Sequence, residues 1–245
     1  MERKNLQYGS EERHELDIYE PAEINNDTEI ILFIYGGGWE SGDKGIHKFV
    51  GRAWARHNFI VILPNYRLAP EATYPAQLHD IVRSIKWLQD NYEEFSDTFY
   101  LAGHSAGANL ASLVGFSDRW LAEAELEPEN IRGFVLLSGV YQFYPFEKAD
   151  PRVRSFLGDK RYWEEAQPIN IVNKSTSPVF LAHGKNDSEV LPAQTIQLSE
   201  RLEALNVEHK RFIEEGAGHI GLLLNTTKQD TLFWNSLNEF FGRND

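Results

Sequence analysis

A length of 245 residues suits one domain with a large core, and 42% apolar with 25% charged side chains is an ordinary globular balance. The formal charge of -13 argues against nucleic acid or anionic membrane as partners, and the lack of cysteine excludes disulfides, thiol nucleophiles and thiolate metal sites. No stretch is apolar enough for a membrane span and Met1 to Glu20 lacks a signal-like core, so a cytoplasmic protein is expected.

After the polar start, Glu15 to Tyr19 reads as an edge strand, and Glu29 to Tyr35 as a central strand because its apolar run is continuous. Lys44 to His57 reads as a helix and Phe59 to Leu63 as another buried strand. Gln77 to Tyr92 carries an apolar stripe at Leu78, Ile81, Val82, Ile85 and Leu88, spaced for a helix. Thr98 to Ala102 is a strand and Ala108 to Phe116 a helix. Ile131 to Leu137 and Pro178 to His183 are further strands. Leu191 to Leu205 is helical, Val207 to Ile213 is a strand, and Thr226 to Phe241 is a closing helix. Such alternation predicts an α/β protein, a mostly parallel sheet of about seven to eight strands with helices on both faces. No linker or repeat interrupts it, so residues 1–245 are expected to form a single domain. The segment 141–177 breaks the pattern and is rich in aromatics and charge; it reads as a lid-like insertion over the strand ends, where open sheets bind ligands.

Between the strand and helix around residue 100 stands Gly103-His104-Ser105-Ala106-Gly107. A serine between two glycines at a sharp strand-to-helix turn is a nucleophile elbow. A pentapeptide of this form has a chance expectation of only roughly 0.07 in such a composition, and its setting strengthens it further. A serine hydroxyl needs a base to take its proton and a third group to orient that base, and with such an elbow the order is serine, acid, histidine. Only His209 and His219 lie beyond the last plausible acid. His209 falls inside a strand, whereas His219 follows Gly216-Ala217-Gly218 in a loop, so His219 is the expected base. Asp187 follows the strand ending at His183 and is the expected acid; Asp150 and Asp159 belong to the insertion, and Glu189 is the nearest rival. His104 and His183 read as structural. Backbone N–H groups for an oxyanion are expected from the loop Gly36-Gly37-Gly38-Trp39 and from Ala106, the residue after the serine. Trp39, Phe143, Tyr144 and Trp163 are candidate apolar walls of a substrate pocket.

These motifs, with Tyr66-Arg67-Leu68-Ala69-Pro70-Glu71, His183-Gly184 and Gly218-His219, span most of the chain. They resemble the α/β-hydrolase esterase/lipase group related to hormone-sensitive lipase, small carboxylesterases and kynurenine formamidases. The resemblance implies Gly37 and Gly38 as the oxyanion donors of the loop, and scaffold roles for Arg67 and Glu71. Tyr35 stands where the group usually has histidine. The implied activity is that of a serine carboxylesterase acting on short-acyl or aryl esters through an acyl-enzyme, with no cofactor. Gly-Gly-x-Trp at residues 36–39 also resembles the formamidase branch and keeps an amide substrate open. Reuse of the fold as a non-catalytic ligand receptor is a third reading, opposed by His219, since some receptors resembling this group keep the serine but have lost the catalytic histidine.

Overall fold

The computed structural model describes residues 1–96, 98–143 and 150–242. Eight strands, β1 (Glu2–Gln7), β2 (Glu15–Tyr19), β3 (Glu29–Ile34), β4 (Phe59–Pro64), β5 (Phe99–His104), β6 (Ile131–Leu137), β7 (Val179–Gly184) and β8 (His209–Glu214), form one sheet. Their order is β1-β2-β4-β3-β5-β6-β7-β8. The strands from β3 to β8 run parallel, while β1 and β2 form an antiparallel flap at one side.

Alternation along the central strands feeds two cores. Ile30, Leu32 and Ile34 of β3 point to one face, and Ile31 and Phe33 to the other. The first face is covered by α2 (Ala76–Asn91), α3 (Ala106–Gly115) and α7 (Ala193–Ala204), through Leu78, Leu110 and Leu198 among others. The second is covered by α1 (Lys48–Ala55), α8 (His219–Asn225) and α9 (Leu232–Phe240), where Trp54, Phe233 and Trp234 pack together. A short helix, α4 (Asp118–Glu123), follows α3. The insertion holds α5 (Pro151–Leu157), a 3-10 turn at Lys160–Tyr162 and α6 (Pro168–Ile171). Asp150 starts α5 by accepting from the Arg152 N–H at 2.9 Å, Pro151 pre-sets the first turn, and Gly158 ends it with φ of 65°. No helix among the described residues is long and apolar enough to cross a membrane.

Several boundaries differ from the sequence reading, four of them with consequences for the fold. β2 is not the edge: β1 pairs beside it, and its polar sequence concealed a strand whose side chains are exposed or half-buried. The helix expected from Lys44 starts only at Lys48, because Lys44 is held elsewhere, its N–H on Asn65 Oδ1 at 2.7 Å and its ammonium buried against Asp17 at 3.0 Å. β8 begins at His209, two residues late. The expected closing helix over 226–241 is α9 alone from Leu232, where the Thr231 hydroxyl accepts from the Trp234 N–H.

Arg67 takes the scaffold role expected of it. Its guanidinium and backbone N–H all meet the fully buried carboxylate of Asp80 on α2, Nη2 at 2.7 Å and N at 2.8 Å, and His14 Nε2 donates to the same group at 2.9 Å. Glu71 does not share that role; it is exposed to solvent. Asp80→Ala is expected to lower stability by ~3–5 kcal/mol, since it strips Arg67 and His14 of their partner. Glu71→Ala should stay within about 0.5 kcal/mol. Urea unfolding midpoints of the two variants check both values.

Candidate active site

β5 runs into α3 with a single residue, Ser105, to make the turn. Ser105 sits at φ 57° and ψ −123°, a conformation that L-residues rarely adopt. The cause is the closeness of helix and sheet: a Cβ on Gly107 would lie 2.0 Å from the carbonyl oxygen of Ile34. Leu137 of β6 holds the turn by accepting from the Ser105 N–H at 2.9 Å. The Ser105 carbonyl already accepts from Ala108 and Asn109, so the helix begins at once.

Two later strand ends supply the partners. β7 finishes at Gly184 and the loop after it carries Asp187; the Asn186 N–H donates to Ala217 at 2.9 Å, tying that loop to the one before α8. His219, the first residue of α8, donates from Nδ1 to Asp187 Oδ2 at 2.7 Å. The carboxylate thus fixes the proton on Nδ1 and leaves Nε2 as the basic nitrogen. Ser105 and His219 face one cavity of about 290 Å³, with no hydrogen bond between them among the described residues. Catalytic contacts of this kind are often loose before substrate binds.

Asp187 is fully enclosed at its carboxylate. Burial alone would raise its pKa, but hydrogen bonds from His183, from His219 and from the Val190 N–H outweigh it and hold the group well below the usual carboxylate range. His183 reads as structural in the sequence, yet its Nε2 lies 3.2 Å from Asp187 Oδ2 while donating to the Val190 carbonyl at 2.8 Å. Thr195 donates to its Nδ1 at 2.8 Å, so two histidines orient one carboxylate. The i, i+4 spacing of His183 and Asp187 was the available signal. Among the described residues no rival acid bonds His219: Asp150, which also lines the cavity, and Asp159 cap the insertion's first turns, and Glu189 stands exposed at the cavity. His209 bonds Ser199 from β8.

The loop after β3 approaches the elbow so closely that a Cβ on Gly36 would lie 2.9 Å from the Ser105 Cβ. Gly37 (φ 143°), Gly38 (φ 61°) and Trp39 (φ 62°) then run through the left-handed region. Gly38, Trp39 and Ala106 line the cavity; Gly37 lies one residue back, its carbonyl accepting from Ser41 N–H and Oγ. Tyr35 is packed between His47 and Tyr66, with ring centroids 5.1 and 4.7 Å away. Burial pushes its hydroxyl up to about 12, against the pull of Arg13.

Of the expected aromatic walls, Trp39 and Phe143 line the cavity. Trp163 does not: it is buried behind Phe143, ring centroids 5.2 Å apart, as packing. Tyr144 lies outside the described residues. The cavity is also lined by polar side chains, Gln142, Asp150, Arg152, Glu189 and Gln194, of which the sequence marked out only Asp150 and Glu189, as rival acids.

A mostly parallel eight-stranded sheet, with a strained serine after β5 and an acid–histidine pair beyond β7 and β8, defines an α/β-hydrolase. The chain belongs to the BD-FAE family, whose model matches residues 16–202. It is 24% identical over 240 residues to Esterase LipC of Mycobacterium tuberculosis, covering 89% of this chain and 60% of that protein. It is 25% identical over 238 residues to a Kynurenine formamidase of Salmo salar, covering 90% of this chain and 80% of that one. A truncated carbohydrate esterase from gut microbiota has the same fold, with a TM-score of 0.83 at 22% identity over 99% of this chain and 95% of its own. The chain therefore spans about three fifths of the length of LipC.

Behind the elbow, His104 is wholly buried and donates from Nε2 to the His219 carbonyl at 3.1 Å. Burial first, then the neighbouring His219, lowers its pKa to about 3. An unfolded chain binds this proton near pH 6.5 and the folded chain does not, so His104 contributes stability above that pH and loses it as pH falls towards 3. The loss is ~1.4 kcal/mol per pH unit from this group. His47, also lowered by burial, acts in the same direction. Urea midpoints between pH 6.5 and 5 should fall less steeply in His104→Gln than in wild type, by the equivalent of one proton.

Proposed function

We propose that the protein is a serine-dependent carboxylic ester hydrolase acting on short-acyl or aryl esters. The observation that carries this reading is the 2.7 Å contact of Asp187 with His219 at a cavity shared with the strained Ser105. In the proposed cycle His219 Nε2 takes the Ser105 proton as Oγ attacks the carbonyl carbon. The N–H groups of Gly37, Gly38 and Ala106 receive the developing oxyanion. Collapse expels the alcohol with the proton held on His219, leaving an acyl-Ser105 ester, and water then repeats the two proton transfers to release the acid. Asp187 fixes the imidazole tautomer throughout and stabilises the imidazolium. A cavity of about 290 Å³ suits a small acyl or aryl group better than a long chain. On this reading residues 1–245 act as one hydrolase domain, with Gln142, Phe143, Asp150, Arg152 and Val153 of the insertion bordering the site.

An aryl formamide is the second reading, favoured by the Kynurenine formamidase relative, which is matched over most of its own length. The polar wall with Arg152 and Gln142 accepts a polar aryl group. The non-catalytic receptor reading is disfavoured, because the base is present and already oriented by its carboxylate.

A serine-directed fluorophosphonate should label Ser105 in the wild type and leave Ser105→Ala untouched. Asp187→Asn should lower kcat by roughly 10⁴-fold with the protein still folded, since it puts the wrong tautomer at His219. Rates on p-nitrophenyl acetate and N-formylkynurenine, with Ser105→Ala as blank, decide between ester and formamide. Equal rates in wild type and Ser105→Ala on both substrates would refute the hydrolase.

A further inference from the structure

Oxyanion donors act only if they are already in place when charge develops, so the loop that presents them must be held from outside. The loop from Gly36 to Gly42 departs from ordinary backbone at Gly37, Gly38, Trp39 and Gly42, each with positive φ. Its middle is tied by the Trp39 carbonyl, which accepts from the Ala69 N–H at 2.9 Å, and by the Trp39 indole on Asn109 at 3.3 Å. Its two ends are tied by one side chain. Arg13, in the turn between β1 and β2, donates from Nη2 to the Tyr35 hydroxyl at 2.8 Å, where the loop begins. The same nitrogen donates to the Gly42 carbonyl at 2.8 Å, where the loop ends. Its Nε donates to the Tyr66 carbonyl at 2.8 Å, and the Tyr66 hydroxyl returns to the Tyr35 carbonyl at 3.0 Å.

Arg13 forms no ion pair among the described residues; all three of these bonds go to neutral oxygens on the segments that meet at the base of the loop. A planar guanidinium reaches three acceptors in fixed directions, which a lysine ammonium on a flexible stem does not reproduce. The Tyr35 phenol hydroxyl gives Arg13 an acceptor near the start of the loop.

We propose that Arg13 is a positioning residue for the hydrolysis, clamping Tyr35 and Gly42 so that the 36–42 loop presents its N–H groups before substrate arrives. This rests on the ester hydrolase reading. Arg13 lies outside the cavity and touches no reacting atom, so its effect belongs in the transition state and not in substrate affinity.

The test compares wild type, Arg13→Met, Arg13→Lys and Tyr35→Phe by kcat and KM on a p-nitrophenyl ester and by amide hydrogen exchange across residues 36–42. Arg13→Met should lower kcat by about 100-fold, the scale of a misplaced catalytic group, with KM moving less than about threefold. Exchange in the loop should quicken in the same variant. Arg13→Lys should recover only part of the rate, and Tyr35→Phe, which deletes one acceptor and little bulk, should show a smaller loss of the same kind. A kcat within about twofold of wild type in Arg13→Met, or a loss seen only in KM or melting temperature, overturns the proposal. If Arg13→Met does not fold, unchanged kcat in both Arg13→Lys and Tyr35→Phe overturns it equally. Wild-type protein that is inert to esters and unlabelled at Ser105 overturns the hydrolase reading itself, and this proposal with it. Active wild type with an unaffected Arg13→Lys and Tyr35→Phe removes this proposal alone.

Discussion

Helix α3 meets the sheet backbone to backbone. The distance from a would-be Gly107 Cβ to the Ile34 carbonyl, 2.0 Å, leaves no room for any side chain there, and all ten residues of the helix are buried. A chain leaving β5 has one residue in which to reverse into that helix, so Ser105 carries the strained φ of 57°. Such strain costs on the order of 1–3 kcal/mol and persists only where surrounding contacts over-determine it. Here the Leu137 carbonyl and the immediate helix hydrogen bonds do so. The neighbouring loop follows from the same closeness, because Gly36 has to pass beside the Ser105 Cβ.

From that fixed point the rest of the site is built by strand ends. β7 and β8 deliver Asp187 and His219 on two loops joined through the Ala217 carbonyl, and His104 at the end of β5 donates to the His219 backbone. His219 is therefore anchored at its backbone carbonyl by the strand that leads into Ser105, and at its ring by the loop that carries Asp187. Asp187 in turn holds its charge in a buried position because His183, His219 and two N–H groups surround it. A carboxylate satisfied on both oxygens cannot swing away, and its direction sets the direction of the imidazole.

Much of this was legible in the sequence because it depends on local chemistry. β3, β4 and β6 announce themselves as apolar runs buried on both faces, and the Ser105 elbow, Asp187 and His219 stand at strand ends in glycine-marked turns. What was not legible depends on contacts remote in sequence. β1 is polar because its side chains face water, so no periodicity distinguishes it from a disordered start. Trp163 and Phe143 have the same composition signal, but one lines the cavity and the other packs behind it. Nothing near Arg13 in the chain says that it will meet Tyr35 and Gly42, 22 and 29 residues away. Arg152 was hidden by an insertion whose short helices lack a readable stripe.

The division of labour follows from the topology. Every residue in the proposed chemistry, from Gly37 to His219, is fixed by the sheet or by a loop at its edge, whereas Phe143, Arg152 and Val153 reach the cavity from the insertion. Loops on a rigid scaffold can vary without disturbing what the scaffold holds. The insertion meets the 36–42 loop at Gly38 and Trp39, which limits this freedom: a Cβ on Gly38 would lie 2.8 Å from Arg152 Cδ, and Trp39 stacks on Phe156 with ring centroids 4.8 Å apart. Arg152 is held to Asp150 through two bonds, at 3.0 and 2.8 Å, and so lies across the middle of the 36–42 loop while Arg13 grips its ends. The 36–42 loop is thereby met by the β1–β2 turn at its ends and by α5 at Gly38, so a change at residue 152 also bears on that loop.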